Sequence, residues 1–149
     1  ERHFQTVSAR SGLARSLRAI CQYEECFSLY PENIRIHREK LGPEHPQTLR
    51  SLSRLANTCF AAGRYQDAKP MFQNILARRV EVLGPDHPDT LRSRSSLANT
   101  LAALGEHSHA VALHQEIIED RVRVLGSDHP RTELSRIRLE NARQAARTV

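Results

Sequence analysis

Tryptophan is absent from the 149 residues, aromatics make up only 5%, and the 39% apolar share is mostly Leu, Ala, Val and Ile. A single core with a deep aromatic pocket is hard to build from such a set, whereas small and medium side chains suit closely packed helix pairs. No stretch approaches the roughly 18 to 20 apolar residues of a membrane-crossing helix, and no basic-then-apolar leader opens the chain. The sequence therefore predicts a soluble chain without a membrane segment. It begins with Glu1 rather than Met, so we expect an excised piece or processed product of a larger parent.

Cysteine is scarce and odd in number. Cys21, Cys26 and Cys59 show no CxxC spacing and no matching His pair, which argues against a zinc site and against a disulfide framework. They read as small core residues in a reducing cytoplasm, with a redox-sensitive pair at Cys21 and Cys26 as the alternative. Lysine is nearly missing too: only Lys40 and Lys69 stand among 22 basic residues, so the formal charge of +5 is carried by arginine. Charge of this kind does not by itself select a partner. No GxSxG, Gly-rich phosphate loop, HExxH or tuned carboxylate pair occurs, so no cofactor or metal is expected and an enzyme ranks last.

What the chain does have is a repeat. Residues 41–82 and 83–124 match at 22 of 42 positions, sharing LG-P-x-HP-x-TLRS and LANT. A period in this range marks a solenoid of supersecondary units. The phrase starts again at Leu125, and a worn copy precedes Leu41, where Cys21 takes the place of Gly63 and Gly105. The predicted organisation is one domain over 1–149, with units of about 1–40, 41–82 and 83–124 and a final helix over 125–149.

Within each unit the apolar spacing is helical. Leu49, Leu52, Leu55, Ala56 and Cys59 form one stripe, Gly63 breaks it, and Tyr65, Ala68, Phe72, Ile75 and Leu76 form the next. Gly42, Gly63, Gly84, Gly105 and Gly126 are expected to end helices in the left-handed conformation, and Pro46, Pro88 and Pro130 to start them. Pro70, inside a helix, predicts a local kink. The fold class is all-α, an α-solenoid of about three antiparallel hairpins plus a C-terminal capping helix.

Aligned on Leu55, Ala56, Gly63, Tyr65, Ala68, Phe72 and Ile75, the unit resembles a tetratricopeptide repeat. The 42-residue length, the LGPDHPDT linker and Pro70 two residues after Ala68 are similar to the kinesin light chain subtype, which also occurs in bacterial signalling proteins behind nucleotide-binding switch domains. His107 in place of the turn Tyr and His114 in place of the second-helix Phe depart from that pattern. The resemblance implies a right-handed superhelix whose first helices line a concave groove for peptides or protein segments.

In that arrangement Arg50, Ser53, Arg54, Asn57 and Phe60 face the groove from the second unit, and Arg92, Ser95, Ser96, Asn99 and Ala102 from the third. Asn57, Asn99 and Asn141 recur at the repeat spacing, and an amide offering donors and an acceptor suits an extended backbone. In related repeats this Asn often contacts peptide; otherwise it braces a neighbouring helix. Arg15, Arg18, Arg50, Arg54, Arg92 and Arg138 fall on or beside the same face, which favours an acidic or C-terminal peptide over nucleic acid, since stacking aromatics are nearly lacking. Arg78, Arg79, Arg121 and Arg123 spread positive charge onto the second helices.

His45, His87 and His129 would lie about 10 Å apart from one hairpin to the next, too far for one ion, and read as loop and cap residues. His107, His109 and His114 lie closer together but lack a carboxylate or Cys at ligand spacing. Phe4, Leu13 and Leu17 are candidates for exposure at the worn end, so homo-oligomerisation or contact with a missing domain of the parent is a second expectation. The function expected first is peptide or protein binding in the groove; the alternative is a structural, regulatory or self-association scaffold with the groove empty.

Overall fold

The linker phrase, LGPxHPxT from Leu41 and Leu83 and LGSDHPRT from Leu125, leads to a histidine-capped helix at each occurrence. Gly42 and Gly126 take φ of 95° and 92° with ψ of 162°, a mirror-extended conformation open to glycine and different from the left-handed cap expected there. The following histidines, His45, His87 and His129, are extended N-cap residues whose Nδ1 accepts the backbone N–H two residues on, at 3.1–3.2 Å. Proline at the first helical position loses nothing by lacking an N–H. Thr48 and Thr132 then donate their hydroxyls back to the carbonyls of Gly42 and Gly126. The repeating histidines are thus caps.

The computed structural model describes residues 2–148, with side chains from residue 5 onward. Among these lie seven helices and no strand: α1 (Arg2–Ala19), α2 (Tyr23–Leu41), α3 (Pro46–Ala61), α4 (Tyr65–Leu83), α5 (Pro88–Ala103), α6 (His107–Leu125) and α7 (Pro130–Arg147). None is long and apolar enough to cross a membrane. Packing divides the chain into two compact units, Glu1–Met71 and Phe72–Val149, with the division inside α4. That helix is continuous through Pro70.

In the first unit α2 packs against both α1 and α3. Ala14, Cys26, Tyr30 and Ile34 form its core, with Leu17, Leu29, Leu52 and Leu55 around them. Leu17 is therefore half-buried rather than exposed, whereas Leu13 is exposed; the side chain of Phe4 lies outside the described residues. In the second unit α6 packs against both α5 and α7. Leu91, Leu97, Ala98, Leu101, Ala110 and Ile117 are buried there.

A buried polar tie repeats at the joint between a second helix and the next first helix. His37 Nδ1 lies 2.9 Å from Ser51 Oγ, Arg79 donates to Ser93 Oγ at 2.6 Å, and Arg121 donates to Ser135 Oγ. Arg79 and Arg121 also donate to the carbonyls of Asp89 and Arg131, each at 3.0 Å. These two arginines are 4% and 6% exposed, so they are structural and add no positive surface. Arg123 is likewise engaged, by Asp86 and Asp120, and Arg78 donates to Asn74.

Cys26 and Cys59 are buried as expected, and the Cys26 thiol donates to the Ala14 carbonyl. Cys21 is not a core residue. It is exposed and sits in the α1–α2 turn at φ 60°, where Gly63 and Gly105 take 74° and 77°. All three thiols are free. A left-handed backbone costs a residue with a Cβ about 1–2 kcal/mol, part of which glycine's own entropy offsets. Cys21→Gly should therefore raise unfolding stability by about 1 kcal/mol in denaturant titration, at unchanged m value. A loss would mean that the thiol stabilises the turn through Tyr23.

Candidate functional site

The first unit contains a cleft of about 890 Å³ between α1 and α3, with α2 behind it. It is open because α1 is stripped of bulk on this side: Ser8 and Gly12 occupy the repeat positions of Arg50 and Arg54. Arg15 and Arg18 from α1 and Arg50, Arg54 and Asn57 from α3 complete the walls, and Tyr30 and His37 line the α2 side. Arg15 stands at the repeat position that Asn57, Asn99 and Asn141 occupy in the later first helices.

Neither α1 nor α3 contains an Asp or Glu. Elsewhere arginines are commonly matched: Arg35 with Glu32 and Glu39, Arg64 with Asp67, Arg92 with Asp89, Arg94 with Asp120, and Arg136 with Glu133. The four cleft arginines share no ion pair among the described residues. Burial, followed by the charges of Arg50 and Arg15, holds the half-buried Arg54 guanidinium below its ordinary pKa. Like charges gathered without counterions raise the local potential and favour an anion.

Asn57 lines this cleft, but its amide nitrogen donates to the Ser53 carbonyl of its own helix at 2.6 Å. Ser53 in turn donates to Leu49. In the second unit the expected residues do not assemble in one place. Arg92 and Arg138 line a smaller hollow of about 210 Å³ among Leu91, Val124, Leu125 and Leu134, with Arg92 held by Asp89. Ser96 and Asn99 are half-buried and Asn141 is exposed, and none of the three lines that hollow. Ser95 does not face a groove: it is 5% exposed and accepts from Arg121 at 2.8 Å. No group of three His, Cys, Asp or Glu side chains among the described residues has metal-site geometry.

A chain of helices repeating every 42 residues, with α2 packed on α1 and α3 and α6 packed on α5 and α7, is a helical-hairpin repeat protein. A model of the tetratricopeptide repeat matches residues 5–73 and 51–121, and the chain belongs to that family. No curated protein matches it. Among solved structures it is similar to a Podosopora anserina protein named as a kinesin light chain with nearly identical TPR-like repeats, at 29% identity and TM-score 0.85 over 93% of this chain and 66% of that one. A second crystal structure of that protein, carrying a single substitution, gives 28% and 0.86 over 97% and 68%. BtubC (BKLC) from P. vanneervenii, at 19% identity and TM-score 0.76 over 94% of this chain and 60% of that one, shares the fold. The chain thus spans 60–68% of the length of these structures.

His114 stands at the repeat position of Tyr30 and Phe72 and is 2% exposed, with Nδ1 lacking a partner. Burial, then the charges of Arg138 and Arg121, lowers its pKa from 6.5 to about 4. The unfolded chain therefore binds the proton first. Stability from the neutral ring is complete above about pH 6.5 and declines as pH falls towards 4, by about 3 kcal/mol at most. His114→Phe should flatten stability across that window and raise it at neutral pH, measured by thermal melts at pH 4.5 and 7.5. An unchanged pH slope would place the acid sensitivity elsewhere.

Proposed function

We propose that this chain is a protein-interaction module whose first unit holds an acidic peptide segment in the cleft between α1 and α3. The observation that carries the reading is the convergence of Arg15, Arg18, Arg50 and Arg54 on one open cleft whose α1 and α3 walls contain no carboxylate. Guanidinium groups pair with carboxylates in a fork geometry and lose less entropy per bond than ammonium groups do. Tyr30 and His37, buried and bonded to Thr58 and Ser51, form a neutral floor beneath the arginines. Family membership supports binding as the activity in place of catalysis.

The Asn ladder takes a secondary part in this reading, because the Asn57 amide is already committed to Ser53 and Asn99 and Asn141 line neither hollow. Arginine spacing, rather than the repeated amide, selects the ligand.

The test is fluorescence anisotropy with a labelled Glu/Asp-rich peptide and a Lys-rich control of equal length. The acidic peptide should bind and the basic one should not. Arg15→Ala with Arg54→Ala should weaken binding roughly tenfold to a hundredfold at unchanged helicity, whereas Asn57→Ala should weaken it less than about fivefold. Affinity should fall as salt rises from 50 to 300 mM. Equal binding of both peptides, or a double variant that binds normally, would remove the cleft from the account.

A further inference from the structure

Each first helix has two packing faces, and the repeat places them at equivalent residues. One face meets the preceding second helix: Thr48, Ser51, Leu55 and Thr58 in α3, where Thr48 bonds to Gly42, Ser51 to His37 and Thr58 to Tyr30. Its equivalents are Thr90, Ser93, Leu97 and Thr100 in α5, and Thr132, Ser135, Leu139 and Ala142 in α7; all eight are buried. The other face carries Val7 and Ala14 in α1, Leu49 and Ala56 in α3, and Leu91 and Ala98 in α5, again all buried.

The two helices at the extremes of the chain differ in how they treat an uncovered face. In α7 the positions equivalent to Leu49, Leu52, Ala56 and Cys59 are Glu133, Arg136, Glu140 and Arg143, so that side has been converted to a polar surface. In α1 the positions equivalent to Thr48, Ser51, Leu55 and Thr58 are Thr6, Ala9, Leu13 and Ser16, which keep the chemistry of the covered face although all four are exposed. Leu13 is 50% exposed, and Ile20, equivalent to Ala62 and Leu104, is 65% exposed. A terminal repeat with nothing to meet needs a polar outer side. Only α7 has one.

We infer that this face of α1 is a docking surface for one more helix of the α2, α4 and α6 kind, supplied by a further hairpin preceding α1 in the same polypeptide. The proposed contact continues the α2–α3 and α6–α7 interfaces in register. A second copy of α1 is the poorer occupant, because a first helix does not bring the groups that meet this kind of face in the α2–α3 joint, Tyr30 to Thr58 and His37 to Ser51. This surface is separate from the arginine cleft and does not depend on what binds there.

The experiment extends the chain with its own hairpin. Residues 41–84 placed directly before Glu1 keep the 42-residue register. In the extended chain α1 amides should exchange at least about tenfold more slowly than in the original, and the melting temperature should rise. Leu13→Glu with Ile20→Glu should abolish both gains in the extended chain while leaving the melting temperature of the original chain nearly unchanged. Sedimentation of the original chain should show a monomer. Unchanged α1 exchange on extension, an equal cost of the double variant in both chains, or a dimer dispersed by Leu13→Glu would each overturn the assignment, the last by giving the face to a second copy.

Discussion

The joint between a second helix and the following first helix is the constraint on which the structure depends. Within about a dozen residues it combines a glycine backbone that other residues resist, a histidine cap, a proline at the first helical position and a threonine hydroxyl returned to the glycine carbonyl. Beneath it a buried His37, Arg79 or Arg121 reaches the serine one turn into the next helix. A hydrogen bond to a charged group contributes about 1.5–3 kcal/mol net, but a buried guanidinium left without acceptors costs more than it gave. Each joint is therefore close to all-or-none, and the angle at which α3, α5 and α7 leave the linker is set by chemistry repeated in sequence.

That joint also explains why the outline of the fold was readable and parts of its interior were not. The glycines, prolines and cap histidines act through neighbours in sequence, so LGPxHPxT announces a helix end and a helix start without tertiary information. Arg79 and Arg121 act through residues 14 positions away, and isolated cations are ordinarily assigned to solvent, so the pattern could not separate them from the exposed Arg38. Ser95 was misplaced for the same reason: only its contact with Arg121, 26 residues off, turns it inward. Cys21 looked like core because cysteine usually is, but the glycine position it fills dictates a turn.

The cleft was half legible. Four of the arginines expected on or beside one face line it, but its volume comes from side chains that are missing: Ser8 and Gly12 stand where the next unit carries Arg50 and Arg54, and a groove assumed to be uniform hides such a local recess. The worn first unit is therefore distinctive where it departs from the repeat. Asn33 at the position of Ile75 and Ile117 belongs to the same drift, and its buried Oδ1 lacks a partner.

Charge distribution follows from where acids stand more than from where bases do. In the second unit Arg94 stands at the repeat position of Leu52 and Asp120 at that of Arg78, and the two form an ion pair that Arg123 and Asp86 extend. Arg94 and Asp120 are 15% and 19% exposed, so this network is screened less than a surface pair and consumes its acids internally. In the first unit Glu32 and Glu39 are held by Arg35 on the outer side of α2, and α1 and α3 offer none. The second unit thus pairs Arg92, Arg94, Arg123 and Arg136 with acids, whereas Arg15, Arg18, Arg50 and Arg54 in the first form an uncompensated cluster. Duplication followed by a few substitutions can create a binding surface in this way while the joint between hairpins stays fixed.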